Sequence, residues 1–384
     1  MFREFGNTQM DRLFAVKSAR FADEYRRPFQ TTEYTASGAI PSPDDSTTSA
    51  RDGQFGCGRR SRRGPLGTDP GQLRRIPVDP ARTTTATMTT IIDGTAIADR
   101  IRDDVTACTD TLVDAGVTPG LATVLMSADP ASETYVSMKQ RACEEIGIDG
   151  SHYEISADEP ASTLFDRVAE LNEDPSVHGI LVQLPVPDHV DKATVLESID
   201  PMKDVDGFHP ENVGRLVAGD ARYKPCTPHG VQKILAAEGV ETEGKDAVVV
   251  GRSDIVGKPM ANLLIQYGEG GNATTTVCHS RTQDLAAKTR EADIVVAAAG
   301  VPEMIDGSML SEGVVVVDVG INRVDADTEK GYELVGDVDF ESAKAKASAI
   351  TPVPGGVGPL TIAMLMYNTV TAASLQSGVD VDLP

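Results

Sequence analysis

Cysteine is scarce in this 384-residue chain: five residues, at 57, 108, 143, 226 and 278, an odd number with no C-x-x-C pair. That argues against a disulfide framework and against a zinc site, and leaves reduced, mostly buried thiols of a cytosolic protein. Long apolar runs are missing as well. None approaches the roughly 18 residues that a bilayer span requires, and the longest candidate, Leu360 to Met366, suits a buried helix. Basic charge is also in deficit. The formal net charge is −23, and it is unevenly divided. Residues 1–87 hold 14 Lys and Arg against 10 Asp and Glu, so the remaining 297 residues carry −27. A body this acidic repels nucleic acid and anionic membranes, and it repels itself unless salt screens the charges. The expectation is a cytosolic enzyme of a salt-loving cell. The alternative is an ordinarily acidic enzyme, for which stability would respond little to molar salt.

What is present points to an α/β enzyme. Hydrophobic residues make up 40% of the chain, and 35 glycines suit many tight strand-to-helix turns. The length allows two domains, each with its own core. Residues 1–87 stand apart. They lack sustained periodicity and are rich in Ser, Thr, Gly, Pro and Arg from residue 31 onward. Such a composition buries too little apolar surface to offset chain ordering. The ten acids in this stretch argue against a transit peptide. The segment reads as a disordered tail or as the product of an upstream start codon, and its removal is expected to leave activity intact.

Patterned sequence begins at Met88. Ile97, Ile101, Val105, Cys108 and Leu112 recur at helical spacing, predicting a helix over 95–115 with one apolar stripe. Strands at 121–126, near 152–156 and at 179–185 then alternate with helices at 132–148, opened by a Ser132 cap, and around 162–172. This rhythm predicts parallel pairing with helical crossovers. A second unit begins with a helix at 226–239, for which Thr227 is the expected N-cap and Pro228 the first helical residue. A strand, turn and helix over 247–268 follow, then β runs at 274–279, 293–300 and 314–320. Continuous apolar strands of this kind are covered on both faces, as in a doubly wound dinucleotide-binding fold. A final apolar helix over about 359–375 is expected to pack between the domains.

Several motifs could carry chemistry. The turn GRSDIVG at 251–257 sits where such a sheet holds a pyrophosphate, with Gly251 for the tight turn and Gly257 for close approach of the helix N-terminus. Ser253 replaces the usual second glycine, and a purely structural turn is the competing reading. At the end of the next strand, Ser280 and Arg281, with Arg252, suit a 2′-phosphate, where a carboxylate would favour the unphosphorylated ribose. Solvated loop residues would look similar. Tyr135 and Lys139 share a helix face; a lysine beside a pocket can act as a base once burial lowers its pKa, though most such pairs merely decorate a surface. Gln183 lies inside an apolar run, so it marks either a structural hydrogen bond or a polar pocket. Asp204 and Asp206 in KDVDG are each a cap, an Asx-turn residue or a pocket carboxylate. The glycines of PGGVG at 354–358 allow close backbone approach to a ligand or simply permit the following helix to start.

Taken together, YVSMK at 135–139, GILVQLPVP at 179–187, PMKDVDGFHPENVGRL at 201–216, PCTPHG at 225–230, VVVGRSDIVGKPM at 248–260, CHSRT at 278–282, DVGINRV at 318–324, GDVDF at 336–340 and ITPVPGGVGPLTIAML at 350–365 resemble the bifunctional methylenetetrahydrofolate dehydrogenase/cyclohydrolase family. The matches run in the family's order and cover residues 88–376. The resemblance implies an α/β folate-binding domain over 88–226 and 353–384, and a Rossmann-like doubly wound NADP-binding domain over 227–352. The C-terminal helix then returns to the first domain. It implies NADP-dependent oxidation of methylenetetrahydrofolate and hydrolysis of the product to 10-formyltetrahydrofolate, without a metal. Lys139 would be the catalytic amine, hydrogen-bonded by Gln183, which would favour its neutral form. Tyr135 would stack on the folate and Asp206 would hold its pteridine. Val182, Leu184 and residues Pro354, Gly355, Gly356, Val357 and Gly358 would complete the substrate site. Gly251, Arg252, Ser253, Gly257, Ser280, Arg281 and Ile321 would line the NADP site. A cytoplasmic homodimer is the implied state. The rivals are a monofunctional dehydrogenase and a non-catalytic nucleotide sensor.

Overall fold

The computed structural model describes residues 89–127, 130–328 and 331–383, and of residues 130–135 the backbone alone. Expectations about residues 1–87, Cys57 included, therefore lie outside the described residues. The chain opens with a two-residue strand, β1 (Thr90–Ile91), and a long helix, α1 (Gly94–Asp114), capped by the Asp93 carboxylate, which accepts from Ala96 N. The stripe Ile97, Ile101, Val105, Cys108 and Leu112 is buried, as its spacing predicts.

Next come β2 (Gly120–Met126), α2 (Pro130–Ile146), β3 (Asp149–Ile155), α3 (Ala161–Glu173) and β4 (Gly179–Val182). They form a parallel three-stranded sheet in the order β3-β2-β4. β2 is buried along its whole length because helices cover both of its faces. Helix α2 starts at Pro130, two residues before the expected cap Ser132. β4 stops at Val182, ahead of the cis Leu184–Pro185 bond, so Gln183 lies just past the strand end. Two short helices, α4 (Lys192–Ser198) and α5 (Pro210–Ala218), close this part of the chain.

Helix α6 (Cys226–Ala237) leads into the second sheet. Its N-cap is Pro225, so Pro228 falls inside the first turn; the Thr227 hydroxyl lies 2.9 Å from that of Thr361 and caps nothing. β5 (Asp246–Val250), α7 (Gly257–Ile265), β6 (Thr274–Cys278), α8 (Leu285–Arg290), β7 (Ile294–Ala297) and β8 (Val315–Asp318) follow. A hairpin of β9 (Asn322–Asp325) and β10 (Tyr332–Val335), a short α9 (Phe340–Lys344), β11 (Ala349–Ile350) and the 21-residue α10 (Val357–Ser377) complete the fold. The six parallel strands lie in the order β1-β11-β8-β7-β5-β6. β6 and β7 flank β5 on opposite sides, so the winding reverses at β5. The crevice at a reversal of this kind is where ligands bind in open α/β sheets.

Two features cross the division that the sequence implies. β1 belongs to the second sheet, pairing with β11 through Thr90 N to Ser348 O and Ile92 N to Ile350 O, both 2.9 Å. α10 packs against α1, α2 and α6, and its burial runs around most of its circumference, which explains its nearly uniform apolar composition. Among the described residues no helix is long and apolar enough to cross a membrane.

Candidate functional site

The first cluster forms at the carboxyl edge of the three-stranded sheet. Gln183 N continues the ladder past β4 by donating to Val124 O at 2.9 Å. Its side-chain amide donates to Leu184 O at 2.8 Å, and this turns Oε1 toward α2. There Lys139, only 9% exposed, donates from Nζ to Gln183 Oε1 at 2.8 Å. Burial pushes the Lys139 pKa down, while the Asp206 carboxylate pulls it back up. An amide oxygen accepts from an ammonium at least as well as from an amine. Gln183 thus fixes where Lys139 sits, and desolvation, not Gln183, favours the neutral form. Tyr135 precedes Lys139 by one turn of α2, and its side chain lies outside the described residues.

The two aspartates of KDVDG separate cleanly. Asp204 is buried and engaged in structure, its Oδ2 accepting from His209 N and Asn212 Nδ2, both at 2.8 Å. Asp206 lies instead near Lys139 and accepts from Cys226. Burial raises its pKa to about 6, opposed by the nearby Lys139 charge and reinforced by that of Asp204. Cys226, the first residue of α6, donates from Sγ to Asp206 Oδ1 at 3.6 Å, and burial together with Asp206 pushes this thiol well up. Behind it, Asn368 of α10 donates to Val205 O at 2.7 Å and Lys224 O at 2.9 Å, with Cys226 Sγ 3.7 Å away. Sequence reasoning gave Cys226 and Asn368 no role. An amide within the apolar stretch of the last helix was the signal for Asn368, because a buried amide must find partners.

In the loop before α10, Gly356 packs against α1 too closely for a side chain on either partner. A Cβ on Gly94 would sit 1.8 Å from Gly356 O, and one on Gly356 would sit 2.5 Å from Pro352 O. Val357 is buried and Pro354 exposed. The position of a Gly358 Cβ is 3.8 Å from Ile321 Cδ1, so this loop meets the segment that follows β8. Ile321 otherwise stands 46% exposed. Val182 is buried in the sheet core, beside the site rather than facing it from a loop.

The second cluster forms at the reversal. Gly251 follows β5 with φ +133°, and its Cβ would lie 2.1 Å from Ala298 O after β7. A Cβ on Gly257 would lie 2.3 Å from Gly251 O. Only glycine permits this fold-back, which brings the start of α7 up to the strand end. Ser253 Oγ accepts from Val256 N at 3.1 Å and Gly257 N at 3.4 Å, tying the turn together, and Arg252 is exposed on it. Beside it, CHSRT closes a tight turn after β6: His279 N donates to Thr282 Oγ1 at 2.8 Å and Arg281 N to His279 Nδ1 at 3.1 Å. Gly251 N donates to Cys278 O at 2.8 Å, so the two turns are neighbours, with Ser280 half-buried and Arg281 exposed.

Two buried carboxylates hold the rim of this crevice. Asp337 accepts from Ala299 N, Gly300 N and Val301 N at 2.6 to 3.0 Å and from Asn322 Nδ2 at 2.9 Å, fixing the loop after β7. Asp318 accepts from Gly320 N, Asp337 N and Val338 N, and burial with Asp337 alongside raises its pKa to about 7. Neither was assigned a role from sequence, although both stand in the quoted motifs DVGINRV and GDVDF.

Known proteins match this chain in sequence and fold. Residues 92–206 match the catalytic domain of tetrahydrofolate dehydrogenase/cyclohydrolase, and residues 225–377 match its NAD(P)-binding domain. The chain is 82% identical over 297 residues to bifunctional protein FolD 2 of Haloarcula marismortui, which spans 77% of this chain and all of that one. The crystal structure of the bifunctional FolD enzyme, methylenetetrahydrofolate dehydrogenase/cyclohydrolase, from Campylobacter jejuni superposes with TM-score 0.71 at 49% identity, covering 75% of this chain and 99% of that one. The Trypanosoma brucei methylenetetrahydrofolate dehydrogenase-cyclohydrolase, complexed with NADP cofactor and inhibitor, superposes with TM-score 0.72 at 40% identity, covering 76% and 99%. The chain belongs to the tetrahydrofolate dehydrogenase/cyclohydrolase family.

Proposed function

We propose that the protein oxidises methylenetetrahydrofolate to methenyltetrahydrofolate with NADP and hydrolyses that product to 10-formyltetrahydrofolate, with Lys139 as the amine at the reacting carbon. The observation that carries the assignment of Lys139 is its burial 2.8 Å from Gln183 and beside Asp206. In this reading residues 88–226 and 353–384 form the folate lobe and 227–352 the NADP lobe, with β1 lent to the second sheet and residues 1–87 outside both.

The residues present fit the dinucleotide. The space that a Cβ would fill at Gly251 and Gly257 leaves backbone free at the N-terminus of α7, where a pyrophosphate is favoured. Ser253 has its hydroxyl proton free to donate, since its oxygen accepts from the turn. Ser280, Arg281 and Arg252 suit a 2′-phosphate, and no carboxylate stands in the turn 279–282 to favour the bare ribose. When bound, NADP supplies the hydride acceptor.

The substrate carbon bridges two nitrogens whose lone pairs stabilise the cation left after oxidation. Asp206 and the stacking surface of Tyr135 orient the folate, with Val182, Leu184 and the loop Pro354 to Gly358 bounding it; orientation is the main contribution of the protein to this step. The methenyl cation is then open to water. Neutral Lys139 takes a proton as the new C–O bond forms, and the bond from that carbon to one ring nitrogen opens as the nitrogen is protonated. Desolvation keeps the neutral amine accessible, so hydrolysis rises with pH through the lowered Lys139 pKa.

The acidic surface and the haloarchaeal relatives support operation in concentrated salt. A cytoplasmic homodimer is part of the proposal. β6 is an edge strand, and Ile265 (57% exposed), Tyr267 (101%) and Val277 beside it form an apolar patch suited to a second copy. The test is a spectrophotometric assay of methylenetetrahydrofolate with NADP or NAD in molar salt. Reduced NADP should form faster than reduced NAD, and the methenyl absorbance should rise and then decay. A methenyl signal that accumulates without decay would identify a monofunctional dehydrogenase.

A further inference from the structure

Beside α6 a cavity of ≈ 720 Å³ is lined by Lys224, His229, Lys233 and Arg222 together with Asn368, the ring of Tyr367 and apolar residues of α10 and the C-terminal segment. Four basic side chains converge here in a body whose charge is −27. Lys224 and Lys233 line the same space, and burial pushes both pKa values down, aided for Lys224 by the nearby Lys233 charge. The acids on the lining, Glu269 and Asp382, are exposed, and Glu269 and Asp104 pull the Lys233 pKa partly back up. Arg222 is already bound to Asn212 and Glu211.

His229 is the sharper observation. Its side chain is 5% exposed, lines the cavity, and meets the edge of Tyr367 at 5.3 Å between ring centroids. Its Nδ1 is buried with no hydrogen-bond partner among the described residues. A buried polar atom left unpaired costs free energy that a ligand atom would recover. The dinucleotide and folate assignments use neither His229 nor Lys224 nor Lys233.

We propose that this cavity is a binding site for a small organic anion, a phosphate ester or carboxylate with an apolar or aromatic portion. The anionic group would lie between Lys224 and Lys233 and accept from His229 Nδ1, and the apolar portion would rest against Tyr367. An opposite charge between the two ammoniums removes their mutual repulsion, and the aromatic wall adds contact that a bare inorganic anion cannot make.

Phenyl phosphate is a probe of this chemistry, with inorganic phosphate for comparison. Binding is measured by calorimetry on the full chain with NADP saturating, at the lowest salt that keeps the protein folded, since salt screens such contacts. Phenyl phosphate should bind more tightly than inorganic phosphate. Lys224→Gln, Lys233→Gln and His229→Phe should each weaken it by at least about tenfold while NADP still binds. Lys233 is half-buried, so Lys233→Gln decides the matter if either of the other variants fails to fold. Absence of phenyl phosphate binding at millimolar concentration, or affinity unchanged in Lys233→Gln, would overturn the proposal. Because binding is read directly, this outcome is independent of whether the folate chemistry proves correct.

Discussion

Asp206 is a carboxylate that folding places where its charge is disfavoured, and the cost is measurable. Its pKa is raised from 3.8 to about 6 by burial, against the opposing pull of Lys139. A folded-state pKa above the unfolded one means that the folded state holds its proton more tightly. The relative stability this provides is complete below pH 3.8 and is lost as pH rises through about 6. Above that pH the ionised group costs up to ~3 kcal/mol, because each tenfold gain in proton affinity on folding corresponds to about 1.4 kcal/mol. Asp206→Asn removes the charge and keeps an oxygen to accept from Cys226. The ligand-free variant should therefore unfold later than the parent at pH 8, by roughly 5 °C for a domain of this size, with the gap closing toward pH 4. That figure is already net of the attraction between Asp206 and the Lys139 ammonium. In a Lys139→Met background the attraction disappears and the Asp206 pKa climbs further, so the gain should be larger. The assay is thermal or urea unfolding of the four variants across pH in one constant molar salt. Equal stability differences at pH 4 and pH 8 would refute desolvation as the cause. The same substitution should raise the folate KM sharply, which is the usual exchange of stability for a binding group.

Three further outcomes follow from the geometry. Gly251→Ala forces a Cβ to within 2.1 Å of Ala298 O at a φ of +133°, so NADP affinity should fall beyond detection and unfolding should begin earlier, read by fluorescence titration and calorimetry. Arg281→Gln should lower the ratio of NADP to NAD specificity at least about tenfold through NADP alone, measured as kcat/KM for each; an unchanged ratio would place the 2′-phosphate elsewhere. Gln183→Met should lower the pH at which hydrolysis reaches half-maximum only slightly or not at all while lowering its rate about tenfold or more, because Gln183 positions Lys139 and burial sets its pKa. A large displacement of the pH profile would return the pKa effect to the amide.

Much of the fold was legible because the strands that carry it are nearly continuous apolar runs. β2, β5, β7 and β8 are buried on both faces, and a strand so placed needs no alternation. β1 and β11 were not legible. Each has two residues and exists through partners supplied by other strands, which for β1 lie more than 250 positions away. The same distance effect governs the site. Gln183 read equally as a structural amide or a pocket group until Lys139, 44 residues earlier, was seen against it. Asp204 and Asp206 are indistinguishable by local pattern; Asn212 and His209 claim the first, and Cys226 alone donates to the second among the described residues. The turn at 251–257 was readable locally, since its glycines answer a backbone need that neighbouring sequence already announces. Thr227 shows the limit of such local signals, because Pro225 ends the preceding segment two residues earlier than the Thr-Pro pattern suggests.

The decisive variant is Lys139→Met, followed through both reactions with methylenetetrahydrofolate and NADP. If Lys139 is the amine at the reacting carbon, the second step slows by about 10²-fold or more and the methenyl compound accumulates, while reduced NADP still forms at a rate within about tenfold of the parent. Undiminished hydrolysis in a correctly folded Lys139→Met protein would contradict that role.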